Sequence, residues 1–129
     1  MNPKTRYIVL LVVIVIFAVL VSLRCDAGTI EILNRQRAQR ELYPLKADPV
    51  LMEIAQERLE ANVRRGNWQH NIRNGQFVGR FRPARAEGCG NTYSPNRWYT
   101  CDWDTSRYRR AGVAMTKVGN RYWQLLLLR

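Results

Sequence analysis

The chain has 129 residues, and its 21 lysines and arginines outnumber its 10 acidic residues, which gives a formal net charge of +11. This length predicts one domain and excludes a chain of several domains. A single histidine and three cysteines disfavour a zinc site with four Cys and His ligands, while the positive charge indicates an anionic partner.

The first 27 residues differ from the rest of the chain in composition. Lys4 and Arg6 precede an uncharged apolar run from Tyr7 to Leu23, which is the pattern of a secretory signal or of an uncleaved anchor. The run is shorter than the ~20 residues that cross ~30 Å of hydrocarbon, so its length does not decide between the two. We therefore predict that residues 1–27 are either a signal peptide cleaved after Ala27 or a transmembrane helix that anchors the chain.

Residues 28–129 are predicted to be the folded domain, which is secreted in the first case and held outside a single-pass cell-membrane anchor in the second. The domain begins with a helix over residues 29–42. Asp48 is a favourable N-cap for a second helix, Pro49 suits its first position and Gly66 ends it. Apolar residues at spacings of three and four give both helices an inward face, formed by Ile30, Leu33, Leu51, Ile54, Ala55 and Leu59. The charged residues of the second helix are assigned to its exposed face: Glu53, Glu57, Arg58, Glu60, Arg64 and Arg65.

Residues 67–110 contain many glycines, prolines and arginines, and this composition predicts loops and short extended segments. Cys89 and Cys101 lie in this stretch. After export they are an even pair in an oxidising compartment, which favours a disulfide between them. Such a bridge would add about 3 kcal/mol by restricting the unfolded chain.

The C-terminal residues predict a β-hairpin. The segments Gly112–Val118 and Arg121–Leu128 flank Gly119-Asn120, a two-residue turn of the kind that joins antiparallel strands. The four consecutive leucines near the end are typical of a central strand that is covered on both faces.

Several short motifs follow one another after residue 29: Leu33-Asn34, Arg37, Pro44-Leu45, Asp48, Leu51, Ile54-Ala55, His70, Tyr108, Gly112-Val113-Ala114 and Tyr122-Trp123. In order and spacing they resemble the CAP superfamily of cysteine-rich secretory proteins, antigen 5 and pathogenesis-related proteins. The resemblance implies an α+β fold, an α-β-α sandwich in which helices cover a small antiparallel sheet. Here the sandwich is preceded by an N-terminal hydrophobic helix.

The resemblance also implies a cleft, where the family typically has two histidines and two acidic residues able to bind a divalent metal. His70 matches the first histidine, and Glu87 in Ala86-Glu87-Gly88 matches the glutamate. The chain has no second histidine, and Asp102 or Asp104 is a candidate substitute carboxylate. Two placed ligands are fewer than the about three protein ligands of a catalytic zinc. We therefore expect no metal, no cofactor and no catalytic residue, with His70 and Glu87 as cleft residues.

Arginines and aromatic residues are interleaved in the middle of the chain. They predict a basic patch, formed by Arg80, Arg82 and Arg85, and a partly exposed aromatic platform, formed by Trp98, Tyr99 and Trp103. Such mixtures suit phosphate-bearing or aromatic ligands. For an exported domain, the expected partner is an anionic membrane surface or an envelope polymer, and nucleic acid is not expected.

The sequence thus predicts a CAP-like domain outside the cytoplasm with a non-catalytic binding or structural role. Two alternatives stay open. One is a metal-assisted hydrolase that uses His70 and Glu87, and the other is a basic protein that binds nucleic acid.

Overall fold

A computed structural model describes residues 1–70, 72–73 and 76–129, and it gives residues 15–27 and 72–73 by their backbone alone. The elements, in chain order, are helix α1 (Pro3–Ala38), strand β1 (Lys46–Ala47), helix α2 (Pro49–Arg65), strands β2 (Ile72–Arg73) and β3 (Gln76–Phe77), a 3-10 helix (Gly79–Phe81), and strands β4 (Ala86–Thr92), β5 (Arg110–Val118) and β6 (Arg121–Leu128). The fold is mixed α+β with an N-terminal helix, as the sequence predicts.

The second predicted helix and the C-terminal hairpin are confirmed. Asp48 caps α2 by accepting hydrogen bonds from the N–H groups of Val50 and Leu51 at 3.1 and 3.2 Å. Gly66 ends α2 with a φ of 74°. β5 and β6 pair antiparallel on either side of a turn in which Gly119 has a φ of 61°. Glycine reaches this left-handed region without the steric cost that other residues incur.

Four strands form the main sheet in the order β1–β5–β6–β4, and β2 and β3 form a separate antiparallel pair. β4 and β5 are antiparallel neighbours of β6, whereas β1 runs parallel to β5. The prediction of an antiparallel sheet is therefore wrong at this edge. The parallel direction of β1 appears in its backbone hydrogen bonds, since the N–H groups of Lys46 and Asp48 donate to the carbonyls of Arg109 and Ala111, each at 2.9 Å.

The four consecutive leucines of β6 are fully buried at the centre of the sheet. Leu125 and Leu127 pack with residues of α2 in one apolar cluster. Leu126 and Leu128 lie in a second cluster with Ile30 of α1, because side chains alternate between the two faces of a strand. The prediction of a central strand that is covered on both faces is confirmed. Burial of each leucine contributes about 1.5–3 kcal/mol, and β6 supplies two leucines to each cluster.

Helix α1 runs without a break through residue 27, where the sequence predicts a boundary. Ile30 and Leu33 attach its C-terminal part to the domain, whereas residues 7–14 are exposed. Among the residues that the structure describes, no helix has the length and apolar character needed to cross a membrane. The prediction of a transmembrane helix, and with it a single-pass location in the cell membrane, is therefore wrong. Charged Arg24 and Asp26 end the uncharged run at Leu23, which leaves it near the lower end of the about 17–25 residues of a span.

Strand β4 is the longest described element that the sequence prediction missed. Gly88 and Gly90 argue against a strand, because glycine is depleted there and weakens strand interiors. In the structure both glycines allow a close approach of backbones. A Cβ on Gly88 would overlap the carbonyl of Cys101, and a Cβ on Gly90 would overlap the carbonyl of Tyr99. The loop before β5 therefore lies directly on β4.

Candidate functional site

Glu87, on β4, is the centre of a buried polar cluster. Its fully buried side chain accepts two hydrogen bonds from Arg58 of α2, from Nε to Oε2 and from Nη2 to Oε1, each at 2.9 Å. His70 contacts the same Oε1 through its Nδ1. The two cleft residues taken from the family resemblance thus lie in contact, and an arginine lies beside them.

Arg58 lies on the buried face of α2, so its assignment to the exposed face is wrong. Its guanidinium carbon is 4.9 Å from the centroid of the Phe81 ring, and its Nη2 also donates to the carbonyl of Gln69. The helical spacing explains the position, since Arg58 follows Ile54 by one turn and Leu51 by two turns on the inward stripe. The two-pronged guanidinium satisfies the buried carboxylate in a geometry that lysine cannot reproduce.

His70 is the most accessible member of the cluster, with 46% of its side chain exposed. Because a carboxylate accepts from Nδ1, the proton of the neutral imidazole lies on Nδ1, and Nε2 is the basic nitrogen. A histidine oriented in this way can accept a proton from a ligand or coordinate a metal. Any chemistry at the cluster would therefore reach it through His70.

Cys89 joins the cluster from the same face of β4, two residues after Glu87. Its Sγ lies 3.7 Å from Oε1 of Glu87. Burial, followed by the negative charge of Glu87 and the hydrogen bond to it, raises the pKa of the Cys89 thiol to about 12. The thiol is therefore protonated at neutral pH and is a poor nucleophile, because the thiolate is the reactive form.

The predicted disulfide between Cys89 and Cys101 is wrong, and both cysteines are free. Side chains alternate along a strand, so Cys89 points toward the cluster of α2, as Glu87 does. The backbone of Cys101 lies over Gly88, on the opposite face of β4. The strand thus separates the side chain of Cys89 from Cys101, and a bridge would require the backbone to move.

His70, Glu87 and Cys89 each offer one donor atom, and these atoms lie within 4.8 Å of one another. The sequence prediction missed Cys89 as a candidate ligand, although its spacing of two from Glu87 on a strand would have indicated it. The set fits a zinc ion poorly, because both oxygens of Glu87 accept from Arg58, whose positive charge would face the ion. A metal would also have to deprotonate a thiol with a pKa of about 12.

Neither candidate substitute carboxylate joins this cluster. Asp104 pairs with Arg40, near the end of α1, at 3.5 Å. Asp102 is exposed in the loop before β5, with a φ of 58°. Within the part of the chain that the structure describes, the potential metal ligands that come together are those around Glu87.

The predicted basic patch contains one paired and two unpaired arginines. Arg80 pairs with Glu53 at 2.7 Å and with Glu57 at 2.9 Å, and both glutamates lie on α2. Arg82 and Arg85 are exposed and have no ion-pair partner among the described residues. Two of the three charges are therefore available to an anionic ligand.

The predicted aromatic platform loses one of its three members to the core. Trp98 is 1% exposed, and its Nε1 donates to Oγ1 of Thr100 at 2.7 Å. Tyr99 is 58% exposed. Trp103 is half-buried, and the guanidinium carbon of Arg40 lies 5.2 Å from its ring centroid. The accessible platform consists of Tyr99 and Trp103.

Asn34 and Arg37, on the last turns of α1, hold the segments that follow the helix. Asn34 exchanges two hydrogen bonds with the backbone of Leu45, at 2.8 and 3.0 Å. Nη1 of the buried Arg37 donates to the carbonyls of Trp103 and Thr105 at 2.7 and 2.9 Å. Burial lowers the pKa of Arg37. Both side chains therefore position backbone, and Arg37 is fully buried.

No protein family, curated protein or solved structure matches this chain. The resemblance to the CAP superfamily thus depends on the order and spacing of the motifs in the sequence. Function has to follow from the charges and contacts of the described residues.

Proposed function

We propose that this protein is a CAP-like domain outside the cytoplasm that binds anionic lipid or envelope components and has no catalytic role. The observation that carries the proposal is the pair Arg82 and Arg85, which are exposed and lack an acidic partner among the described residues. Without Lys4, Arg6, Arg24 and Asp26 of the N-terminal segment, the net charge is +9, which makes approach to an anionic surface favourable.

The arrangement around the sheet supports the CAP-like part of the proposal. The cluster of α2 includes Leu125, and the cluster that contains Ile30 of α1 includes Leu126. Helices on the two faces of the sheet are the arrangement of an α-β-α sandwich. In addition, His70 and Glu87 are in contact, as expected of two residues that line one cleft.

We also propose that residues 1–27 are a secretory signal. The support is their composition, since Lys4 and Arg6 precede the uncharged run. Secretion would place the basic domain where anionic head groups and envelope polymers are found.

The chemistry of the Glu87 cluster supports a role without catalysis. Cys89 is protonated at neutral pH because its pKa is about 12. Arg58 neutralises Glu87 and would oppose a divalent cation there. A metal-assisted hydrolase would need these groups free, so the cluster is better suited to holding α2 against β4.

Contacts within the protein distinguish the arginines that are available to a partner from those that are not. Arg80 is bound by two glutamates. Arg121 donates to Asn91 and to the hydroxyl of Tyr93 at 2.8 and 2.6 Å. Arg82 and Arg85 have no such contacts with the residues that the structure describes. A basic residue near an anionic membrane contributes about 1 kcal/mol to binding.

Cosedimentation with vesicles tests the proposal. The protein should bind vesicles that contain phosphatidylglycerol more tightly than phosphatidylcholine vesicles, and added salt should weaken the difference by screening. Arg82→Ala together with Arg85→Ala should weaken binding about tenfold or more, at about 1 kcal/mol for each charge. Arg80→Ala together with Glu53→Ala is the matched control and should have little effect, because it removes one charge of each sign and leaves the local charge unchanged.

Binding to neutral phosphatidylcholine vesicles measures how much the exposed apolar residues 7–14 contribute to membrane binding. Salt does not screen this apolar contribution. Immobilised polyphosphate in place of vesicles distinguishes an envelope polymer from a lipid surface. Binding to neither anion at low salt, or binding that salt does not change, would refute the proposed function.

A further inference from the structure

A pocket of about 560 Å³ lies between the end of α1 and the loop that precedes β5. Its wall includes Gln39 and Arg40 from the α1 side and Asn96, Arg97, Tyr99 and Trp103 from the loop. The volume is within the range of about 300–1,000 Å³ of small-molecule sites. The pocket is separate from the Glu87 cluster and from Arg82 and Arg85, which do not line it.

The loop segment of the pocket is held in place by two glutamines. Gln124, fully buried on β6, donates to the carbonyl of Arg97 at 2.6 Å and accepts from the N–H of Tyr99 at 2.7 Å. Gln36 on α1 bonds both the carbonyl and the N–H of Trp98. Four side-chain hydrogen bonds to three consecutive residues fix the backbone here, so little conformational entropy is lost when a ligand binds.

Two guanidinium groups give the pocket its charge. Arg97 is exposed and has no ion-pair partner in the described parts of the chain. Arg40 lies over the ring of Trp103, and its pairing with Asp104 at 3.5 Å is between exposed groups, which makes it weak. Both arginines line the pocket, and guanidinium groups suit carboxylates and phosphates, so the pocket favours a ligand that carries an anionic group.

The other groups of the wall match the rest of a sugar. The exposed ring of Tyr99 offers a flat apolar face, on which the C–H face of a pyranose can stack. The amides of Gln39 and Asn96 can both donate to and accept from hydroxyl groups. A purely apolar ligand would leave these amides and the guanidinium groups without partners, which is costly.

We propose that this pocket binds an acidic sugar, a saccharide unit that carries one carboxylate or one phosphate. The inference rests on the proposed binding of anionic envelope components and names a ligand chemistry and a site for it. The anionic group binds between Arg40 and Arg97, and the sugar ring stacks on Tyr99.

Calorimetric titration of the full chain with glucuronic acid, glucose 6-phosphate and glucose tests the inference. At least one acidic sugar should bind about tenfold more tightly than glucose, and the better of the two identifies the anionic group. Arg97→Ala and Tyr99→Ala should each reduce this affinity about tenfold. Both side chains are exposed, so these variants should fold normally, which circular dichroism checks. The Arg80→Ala variant is the matched control, because it also removes one arginine but outside the pocket, and it should bind the sugar unchanged.

Any of four results would overturn the inference. Three concern the ligand: no binding of either acidic sugar at millimolar concentration, equal binding of inorganic phosphate and the phosphorylated sugar, or tighter binding of a mononucleotide. The fourth is an unchanged affinity for the acidic sugar in the Tyr99→Ala variant. The vesicle assay is independent of these outcomes, because it depends on Arg82 and Arg85. If the protein binds anionic vesicles but neither acidic sugar, the pocket proposal alone is wrong. If it binds an acidic sugar but no anionic vesicles, the proposed lipid surface alone is wrong.

Discussion

Glu87 carries its charge in the interior of the fold, where an unpaired carboxylate would be strongly destabilising. Arg58 provides two hydrogen bonds to it at 2.9 Å and is itself almost completely buried. A buried ion pair contributes little net stability when formed, since both charges lose their hydration, but breaking it on one side is expensive. The pair therefore acts as a constraint that holds α2 and β4 in one relative position.

We predict that Arg58→Ala lowers the free energy of unfolding by about 3–5 kcal/mol, because Glu87 is then a buried charge without a counterion. Adding Glu87→Gln should recover part of the loss by removing that charge. Arg80→Ala is the matched control, since its ion pairs are exposed and such pairs contribute about 0–1 kcal/mol. Urea unfolding of the four proteins measures the differences. If Arg58→Ala costs no more than Arg80→Ala, the ion pair has no structural role.

At the scale of a secondary-structure element, Asp48 fixes the start of α2. Asp48 caps the helix and also lies 2.5 Å from Nη2 of Arg129 and 3.5 Å from Nη1 of Arg110. Burial alone would raise the pKa of Asp48. The hydrogen bond from Leu51 and the ion pair with Arg129 outweigh it, so the pKa lies below its usual value.

Because the pKa of Asp48 is lower in the folded chain than in the unfolded chain, the stability of the fold depends on pH. Ionised Asp48 stabilises the fold at pH values above its unfolded pKa of about 3.9, and this stability is lost as the pH falls through the lower folded pKa. We predict that Asp48→Asn, which keeps a good cap, costs about 1.5–3 kcal/mol at pH 7 by removing the charged contacts. The cost should shrink below about pH 4. Thermal unfolding of both proteins from pH 7 to pH 2 measures it, and a constant difference would contradict the prediction.

The elements that the sequence predicts well are those with local signals. Asp48, Pro49 and Gly66 mark both ends of α2, and Gly119-Asn120 marks the hairpin. β4 was not predictable in this way, because its glycines serve contacts with a loop from later in the chain. The direction of β1 likewise depends on a distant partner, β5.

The residues of the candidate site were also predictable only in part. The family resemblance places His70 and Glu87, and strand alternation would have added Cys89 once β4 was recognised. Arg58 follows the inward spacing of α2, but a charged residue there is assigned to the surface unless its buried partner is known. Long-range pairing, which local patterns do not contain, accounts for these differences.

At the scale of the whole molecule, the sheet lies between two apolar clusters, one on each of its faces. β6 supplies leucines to both apolar clusters, and α2 packs against β5 and β6. The distance between α2 and the sheet is set by Gly112 on β5, where a Cβ would overlap the carbonyl group of Leu51. Backbone meets backbone at this point, so neither side can move away by changing a rotamer.

We predict that Gly112→Ala destabilises the protein by about 3 kcal/mol, the upper part of the range for overpacking, because the added methyl group must push α2 away from β5. Gly28→Ala is the matched control, and both variants are made in the full chain, in which residues 3–27 precede Gly28 in α1. The control adds the same methyl group in the interior of α1, where nothing lies within 4 Å of the new Cβ. Alanine is the better helix former, so this variant should gain up to about 1 kcal/mol. Urea unfolding gives both values. Equal stability of the two variants would mean that the close approach of α2 to the sheet does not hold the layers together.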